Sequence, residues 1–531
     1  MSAGSLAGRP AAPPRPSRRR ALALTSVVLA NVMAVVDYNI VSVAIPQLLR
    51  AFPGSTLAGL SWTITAYTVV FAAVLLPAGG TADRLGPKRI FLLGLAVFTL
   101  GSAACALAAG PVTLVLARML QATGGGAVVA LSISVGLSEF PGRAGHAFGL
   151  LGAAAGIAGA SGPALGAALL ALGGWRWIFL VNLPLGAVAL ACAAAGVPSR
   201  PAEGRGLPDL LGTALLAGGV AALVLGVVQG PDWGWTAART AAALAAGAAL
   251  TCLGVRRSLR HPRPAADFAL LRARSAAAGN LAMVMLSVTQ FAVALCVALF
   301  LTERWGYPVL AAGFALTPGP LTSAVVSWRS GPLVRRAGAR AVAVAGGVLG
   351  AAGWCWPLAA DALGAGRSYP LAVLPALVAG TAGMAAAAVA IETIAVEDVP
   401  PARFGSGSAL IMLARSAGAA AGIGGLAAVL HAPTGAAFRV AWAGLAAGLL
   451  ASALAAAASR PPPRERNPRE RDPRERGRPR APGGGGAGHG PAPRGGRGPS
   501  RGRSVLGLAR GELLRDQVHD RAVGQGRDVT D

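Results

Sequence analysis

Charge is scarce in this chain. Of its 531 residues only 13% are Asp, Glu, Lys or Arg, whereas 54% are hydrophobic. A soluble protein of this length must clothe its helices in polar side chains, so the shortage excludes an ordinary globular domain. Lys88 is the only lysine, a bias that fits GC-rich codon usage as well as chemistry. The five cysteines (Cys105, Cys192, Cys252, Cys296 and Cys355) lie in apolar runs without metal-ligand spacing, which makes them small core residues. No GxxxxGK[ST] loop is present, so ATP-driven chemistry lacks its phosphate cradle. The stretch GASGPALG (159–166) is no dinucleotide fingerprint, because it sits inside an apolar run with no strand before it. No metal cluster and no nucleophile–base arrangement stands out, and neither an enzyme nor a cofactor is expected.

What the chain has instead is about fourteen apolar runs of roughly 20 residues each, the length that crosses a ~30 Å hydrocarbon core at about 1.5 Å per residue. The first spans 21–44 and the last 437–458. The reading is an all-α integral membrane protein. The 74 glycines suit it, since small residues let membrane helices approach closely. Asp37 interrupts the first run and no small-residue cleavage site follows before Pro46, so that run is a helix, not a secretory signal.

A net charge of +26 would point to nucleic acid in a soluble protein, but here its placement decides. With the basic arm (Arg15, Arg18, Arg19, Arg20) inside, Arg84, Lys88, Arg89, Arg143, Arg200, Arg205 and the run Arg256 to Arg274 all fall on the same side. So do Arg335, Arg336 and Arg340. The opposite loops hold isolated arginines such as Arg50 and Arg176. This asymmetry places both termini in the cytoplasm.

The organisation reads as a basic arm (1–20), a six-helix half (21–197) and a central linker with two extra helices (198–275). A second six-helix half (276–458) and a tail (459–531) follow. The tail, with its near-repeat PRERNPRERDPRERGRPR, has no apolar face to dock and is expected to be dispensable. The halves echo each other weakly. GGTADRLGPKR carries Gly79, Asp83, Arg84 and Gly86; GPLVRRAGAR carries Gly331, Arg335, Arg336 and Gly338 at the same spacings. Internal repeats of this kind mark many secondary transporters.

Asp37 and Arg118 are the clearest ionisable groups inside apolar runs of the first half. Such groups normally face a cavity or each other, so they form either a proton or substrate-cation site or a static pair. Asp83 suits a neighbouring helix N-terminus, where orphan N–H groups favour anions. Arg84 and Arg89 fit a gate lock as well as plain topogenic charge. Gly152, Gly156, Gly159, Gly162 and Gly166 recur at spacings of three and four near one helix face, with Pro163 among them to kink the helix. That face suits a bending element or ordinary packing. Trp175, Trp177, Trp233 and Trp235 suit interfacial anchoring. Glu303, Asp361 and Glu392 read as wet boundary groups, and Arg415 as a cavity or snorkelling residue.

In order along residues 20–458, DYNIVSVAIP (37–46), the Gly79–Arg89 loop, RMLQATGGGA with Arg118 and Gln121, the glycine run of 152–166 and WRWIFLVNLPLG (175–186) resemble the signatures of the major facilitator superfamily, in particular its fourteen-helix drug–proton antiporter branch. The resemblance implies two six-helix halves plus two central helices, and export of small organic compounds from a bacterial cytoplasmic membrane in exchange for protons. It further implies coupling through Asp37, Arg118 and Gln121, gating by Gly79, Asp83, Arg84, Gly86 and Arg89, and an antiport helix at 152–166. The expected partners are a small-molecule substrate, protons and the bilayer, with no nucleic acid and no obligate protein. Pro87, Ala122, Ala167 and Arg335 depart from the family pattern, and Arg335 puts a second lock in question. A dedicated metabolite exporter or a transporter-derived sensor remain as alternatives.

Overall fold

The computed structural model describes residues 17–199, 209–262, 264, 266–364, 367–430 and 434–459. The start of the basic arm, Arg200, Arg205 and the tail from 460 onward lie outside them. Helices account for almost everything described: α1 Ser17–Ala51, α2 Leu57–Leu85, α3 Pro87–Ala106, α4 Pro111–Glu139, α5 Ala144–Gly173, α6 Trp177–Leu180, α7 Asn182–Gly196, α8 Leu210–Val228, α9 Gly230–Trp233, α10 Ala238–Arg260, α11 Arg274–Leu299, α12 Val309–Leu316, α13 Pro318–Ala337, α14 Ala339–Ala362, α15 Leu374–Val396, α16 Phe404–Val429 and α17 Gly435–Ala457. Proline opens α3, α4 and α13, where its missing N–H costs nothing.

Among the described residues twelve helices are long and apolar enough to cross a membrane, thirteen with the bent α5. The expected fourteenth, residues 309–337, is helical as α12 and α13. It breaks at Thr317, and α13 carries Arg329, Arg335 and Arg336, so hydropathy does not single it out. Apolar side chains such as Leu93, Leu100, Val112, Phe314 and Leu454 stand exposed around the bundle, as a hydrocarbon solvent requires.

The two halves pack alike. In the first, α4 lies against α2 and α3, and α1 against α5 and α7; in the second, α15 lies against α13 and α14, and α11 against α16 and α17. The halves meet along two seams, α2 against α16 and α5 against α13. The weak sequence echo is visible here as one repeated turn. Gly86 (φ 98°) and Gly338 (φ 85°) each close a helix by donating to a carbonyl four residues back, in a backbone region that side-chain-bearing residues avoid.

The extra pair, α8 and α10, packs together and α8 lies against α2. Asp209, just before α8, accepts from Arg257 Nε (2.6 Å) and Nη2 (2.9 Å) in a two-pronged ion pair. The hydrogen bonds from Arg257 hold the Asp209 carboxyl below the usual carboxylate range. A lowered folded value stabilises above the unfolded value and is lost as pH falls through the folded one. Acid should therefore loosen this pair, and Asp209→Asn should remove that acid sensitivity from the thermal melting of detergent-solubilised protein.

Candidate functional site

The first half is organised around a dry polar cluster. Asp37 on α1 and Arg118 on α4 are both 1% exposed, with Arg118 Nη1 2.5 Å from Asp37 Oδ2. The other carboxylate oxygen, Oδ1, accepts from Gln121 Nε2 (2.8 Å) and Asn182 Nδ2 (3.2 Å). Gln121 Oε1 accepts from Arg118 Nη1 (2.7 Å), which fixes its amide to donate towards Asp37. Gln121 and Asn182 both donate to Ser102 Oγ, and Ser102 passes its own proton to the Phe179 carbonyl (3.0 Å). Arg118 also donates to the Thr63 carbonyl (3.3 Å), and its guanidinium lies 4.0 Å from the centre of the Tyr67 ring. Each charge is thus compensated by several dipoles, as burial demands. Tyr67 is the exception. It is 1% exposed and its hydroxyl has no hydrogen-bond partner among the described residues.

Sequence reasoning named Asp37, Arg118 and Gln121, and the structure brings all three together. It missed Ser102, Asn182 and Tyr67. Asn182 stood inside WRWIFLVNLPLG and only needed singling out; Ser102, one small polar residue in an apolar run, gave no signal.

The Gly79–Arg89 segment lies at the arginine-rich end of the α2–α16 seam. Asp83 accepts from the backbone N–H of Gly405 (2.9 Å) and Ser406 (2.8 Å), the opening residues of α16 in the other half. Orphan N–H groups and the helix dipole both favour a carboxylate there. Gly79 permits the approach, since a Cβ at this position would come within 2.7 Å of the Ala409 Cβ. Arg84 donates to the Pro264 carbonyl (3.3 Å), and Lys88 to the Ala194 carbonyl (2.6 Å). Arg89 is exposed and does not join the lock.

The linker that receives Arg84 is tied to the other half as well. Arg403, just before α16, donates to Asp267 Oδ2 at 2.7 Å, and Ser275 donates to Asp398. Ala266 packs with Ala72 and Leu76 of α2, Leu216 of α8 and Leu410 of α16.

On the second seam the equivalent turn carries Arg335 in place of an acid. Arg335 is exposed, and α5 starts with no side-chain cap. Among the described residues the carboxylate-to-helix contact is found on one seam, and on the other Gly331 sits against the Gly145 carbonyl, where a Cβ would stand 2.9 Å away.

The α5 glycines do not share one neighbour. A Cβ on Gly152 would meet Ser327 and one on Gly156 would meet Ala324, both on α13 across the seam at 2.9 and 2.8 Å. Gly166 faces Ile40 of α1 in its own half, and Gly159 faces open space. The expected single smooth face is therefore split. A 49° bend between residues 144–162 and 164–173, at the position of Pro163, separates Gly166 from the other four, whereas Gly159 lies before the bend.

In the second half Glu392 is 7% exposed and pairs with Arg415 of α16 at 3.4 Å. This corrects the reading of Glu392 as a wet boundary group. A carboxylate one turn from a helix end looks like a boundary residue in sequence, but α15 is enclosed by neighbours on several sides.

A family model described as Major Facilitator Superfamily matches residues 27–423. The chain belongs to that superfamily. A multidrug resistance protein B homolog of Mycobacterium tuberculosis is 33% identical over 403 residues, 74% of this chain and 73% of its own length. The cephamycin export protein CmcT of Amycolatopsis lactamdurans is 33% identical over 414 residues, covering 76% of this chain and 84% of its own. Among solved structures, the human organic anion transporter MFSD10 (TETRAN) superposes with a TM-score of 0.60 at 17% identity, covering 83% of this chain and all of that one. A bacterial ferroportin homologue in an outward-facing state does so with 0.60 at 13% identity, over 82% and 98%. These likenesses show the fold. The chain is a multi-pass membrane transporter of this superfamily, which consists of carriers and not of enzymes.

Proposed function

We propose that this transporter exports small amphipathic organic compounds across the cytoplasmic membrane in exchange for protons, alternating access by rocking one half against the other. The observation that carries the reading is the Asp37–Arg118–Gln121–Asn182 cluster, a carboxyl group on α1 held dry by partners on α4 and α7. In the cycle, a proton reaching Asp37 frees Arg118, whose guanidinium lies over the Tyr67 ring. Release of that proton on the other side restores the pair. Reconstituted protein should accumulate substrate when a pH gradient is imposed and cease when the gradient is collapsed. Uptake indifferent to the gradient would sink the reading.

Both termini are assigned to the cytoplasm from the arginine asymmetry, which makes the Asp83 end, where α2 meets α16, cytoplasmic. Reporter fusions after Ser199, Arg260 and Ala458 should report cytoplasm and fusions near Pro111 and Asp232 the outside. A periplasmic signal after Ala458 would mean an odd number of spans.

A second reading, export of one antibiotic made by the producing cell, is favoured by the similarity to the cephamycin exporter and, at 32% identity over 318 residues, to a probable actinorhodin transporter of Streptomyces coelicolor. A flux panel spanning β-lactams, aromatic polyketides and cationic dyes separates the two: one transported class supports dedicated export, several support multidrug export.

A further inference from the structure

The proposed exchange uses one carboxylate, yet the bundle buries another. Glu392 sits on α15 with its side chain 9% exposed, and among the described residues it has one partner, Arg415 Nη1, 3.4 Å from Oε1. Arg415 is shared, because its Nη2 donates to Gln290 Oε1 on α11 at 3.3 Å. The contrast with Asp37 is one of compensation. Asp37 has three donors spread over both oxygens, the nearest at 2.5 Å. Glu392 has one long bond to one oxygen, from a cation whose other arm is engaged elsewhere. A carboxylate held so loosely in a low-dielectric interior gains from taking a proton, because desolvation penalises its charge and little repays it.

The surroundings leave Arg415 as the charge that matters. Of the helices packed on α15, α13 carries Arg329, Arg335 and Arg336, all exposed; α14 carries Arg340 and Asp361, both exposed. On α11 and α17 the charged residues are Arg274 and Arg439, again exposed, and α5 contributes a half-buried His146 near its start. Thr393, beside Glu392, lies close to Gly145 of α5, so Glu392 stands next to the seam between the halves. A proton arriving there acts where alternating access has to act.

We propose that Glu392 is a second proton-carrying carboxylate, with Arg415 as its counter-charge and Gln290 as the dipole that holds Arg415 when Glu392 is neutral. The proton comes from water on the acidic side, binds a carboxylate oxygen and breaks the ion pair. It leaves to water on the opposite side when Arg415 returns. The inference rests on the proton-antiport reading for its role, but the proton site itself can be tested without any substrate.

The test is infrared difference spectroscopy of the full chain reconstituted in lipid, comparing alkaline with acidic buffer and following the C=O stretch of protonated carboxyl groups. Unaltered protein should show a buried-carboxyl band that grows on acidification and that Glu392→Gln removes, while the part due to Asp37 disappears in Asp37→Asn instead. Because Glu392→Gln strands Arg415, Glu392→Gln with Arg415→Gln is measured beside it; the double variant removes both charges and should lose the same band. Identical spectra for the unaltered chain and both Glu392 variants would overturn the proposal, since a static ion pair does not titrate. In proteoliposomes with the membrane potential clamped, loss of one transported proton should shrink the accumulated ratio of the dye ethidium about tenfold per unit of pH gradient. An unchanged ratio would overturn the coupling role. If the band depends on Glu392 while export ignores the gradient, the proton site stands and the antiport reading falls.

Discussion

Asp37→Asn should leave the protein folded and inserted while reducing pH-driven export to background. The amide keeps the size of the carboxylate, and its single oxygen, turned to the Oδ2 position, still accepts from Arg118, while its NH2 takes the place of the oxygen that accepted from Gln121 and Asn182. It cannot exchange a proton at working pH. Arg118→Ala should be worse for folding. It leaves the Asp37 charge buried with amide donors alone, and breaking a buried pair from one side costs about 3–5 kcal/mol. Asp37→Asn combined with Arg118→Ala strands no charge, and should recover membrane abundance relative to Arg118→Ala without recovering transport. Quantitative immunoblots of membranes, set beside efflux, check both parts. Uphill export by intact Asp37→Asn protein would remove Asp37 from the mechanism.

Gly156→Val should abolish turnover by a different route. A Cβ at 156 would stand 2.8 Å from the Ala324 backbone N and 2.9 Å from its Cα, and backbone cannot rotate aside as a side-chain tip can. The α5–α13 seam could then close only by displacing a helix, so the two halves should be held apart along it. Gly159→Val, which meets open space, is the matched control and should transport at near the unaltered rate. Cysteine pairs placed across the seam, outside the contact itself, would report the separation. Equal cross-linking and flux in both variants would show that the seam does not need its close approach.

Much of this was legible in the sequence because membrane solvent simplifies the code. Charge inside an apolar run is expensive, so Asp37 and Arg118 announced themselves, and the structure pairs them. Asp83 was equally readable: a lone acid beside two glycines has few uses except an N-terminus of another helix. Neutral polar residues carry no such penalty and no such flag, which is why Ser102, Asn182 and Tyr67 stayed hidden. Glu392 was misjudged for a geometrical reason. Its distance from a helix end is visible in sequence, whereas the enclosure of that end by α5, α11 and α16 depends on how distant segments pack. The α5 glycines show the same limit, because spacing gives a face on a straight helix, while what each glycine meets depends on the neighbouring helices and, for Gly166, on the bend at residue 163. The tenth of the fourteen expected runs, 309–337, is helical but is passed over by a plain length-and-hydropathy count, because its arginines and its break at Thr317 dilute the signal.

The helix pair inserted between the halves makes the two seams unequal towards lipid. At α2–α16 the joint is shielded by α8, and the linker after α10 fills its arginine-rich end. At α5–α13 no described helix lies outside the joint, and Ile157, Leu321, Val325 and Trp328 stand exposed along it. A pseudo-symmetric bundle thereby acquires a front and a back. Towards the bilayer one flank is a wall of two added helices and the other a bare line between the halves, a difference made by the insertion rather than by either half.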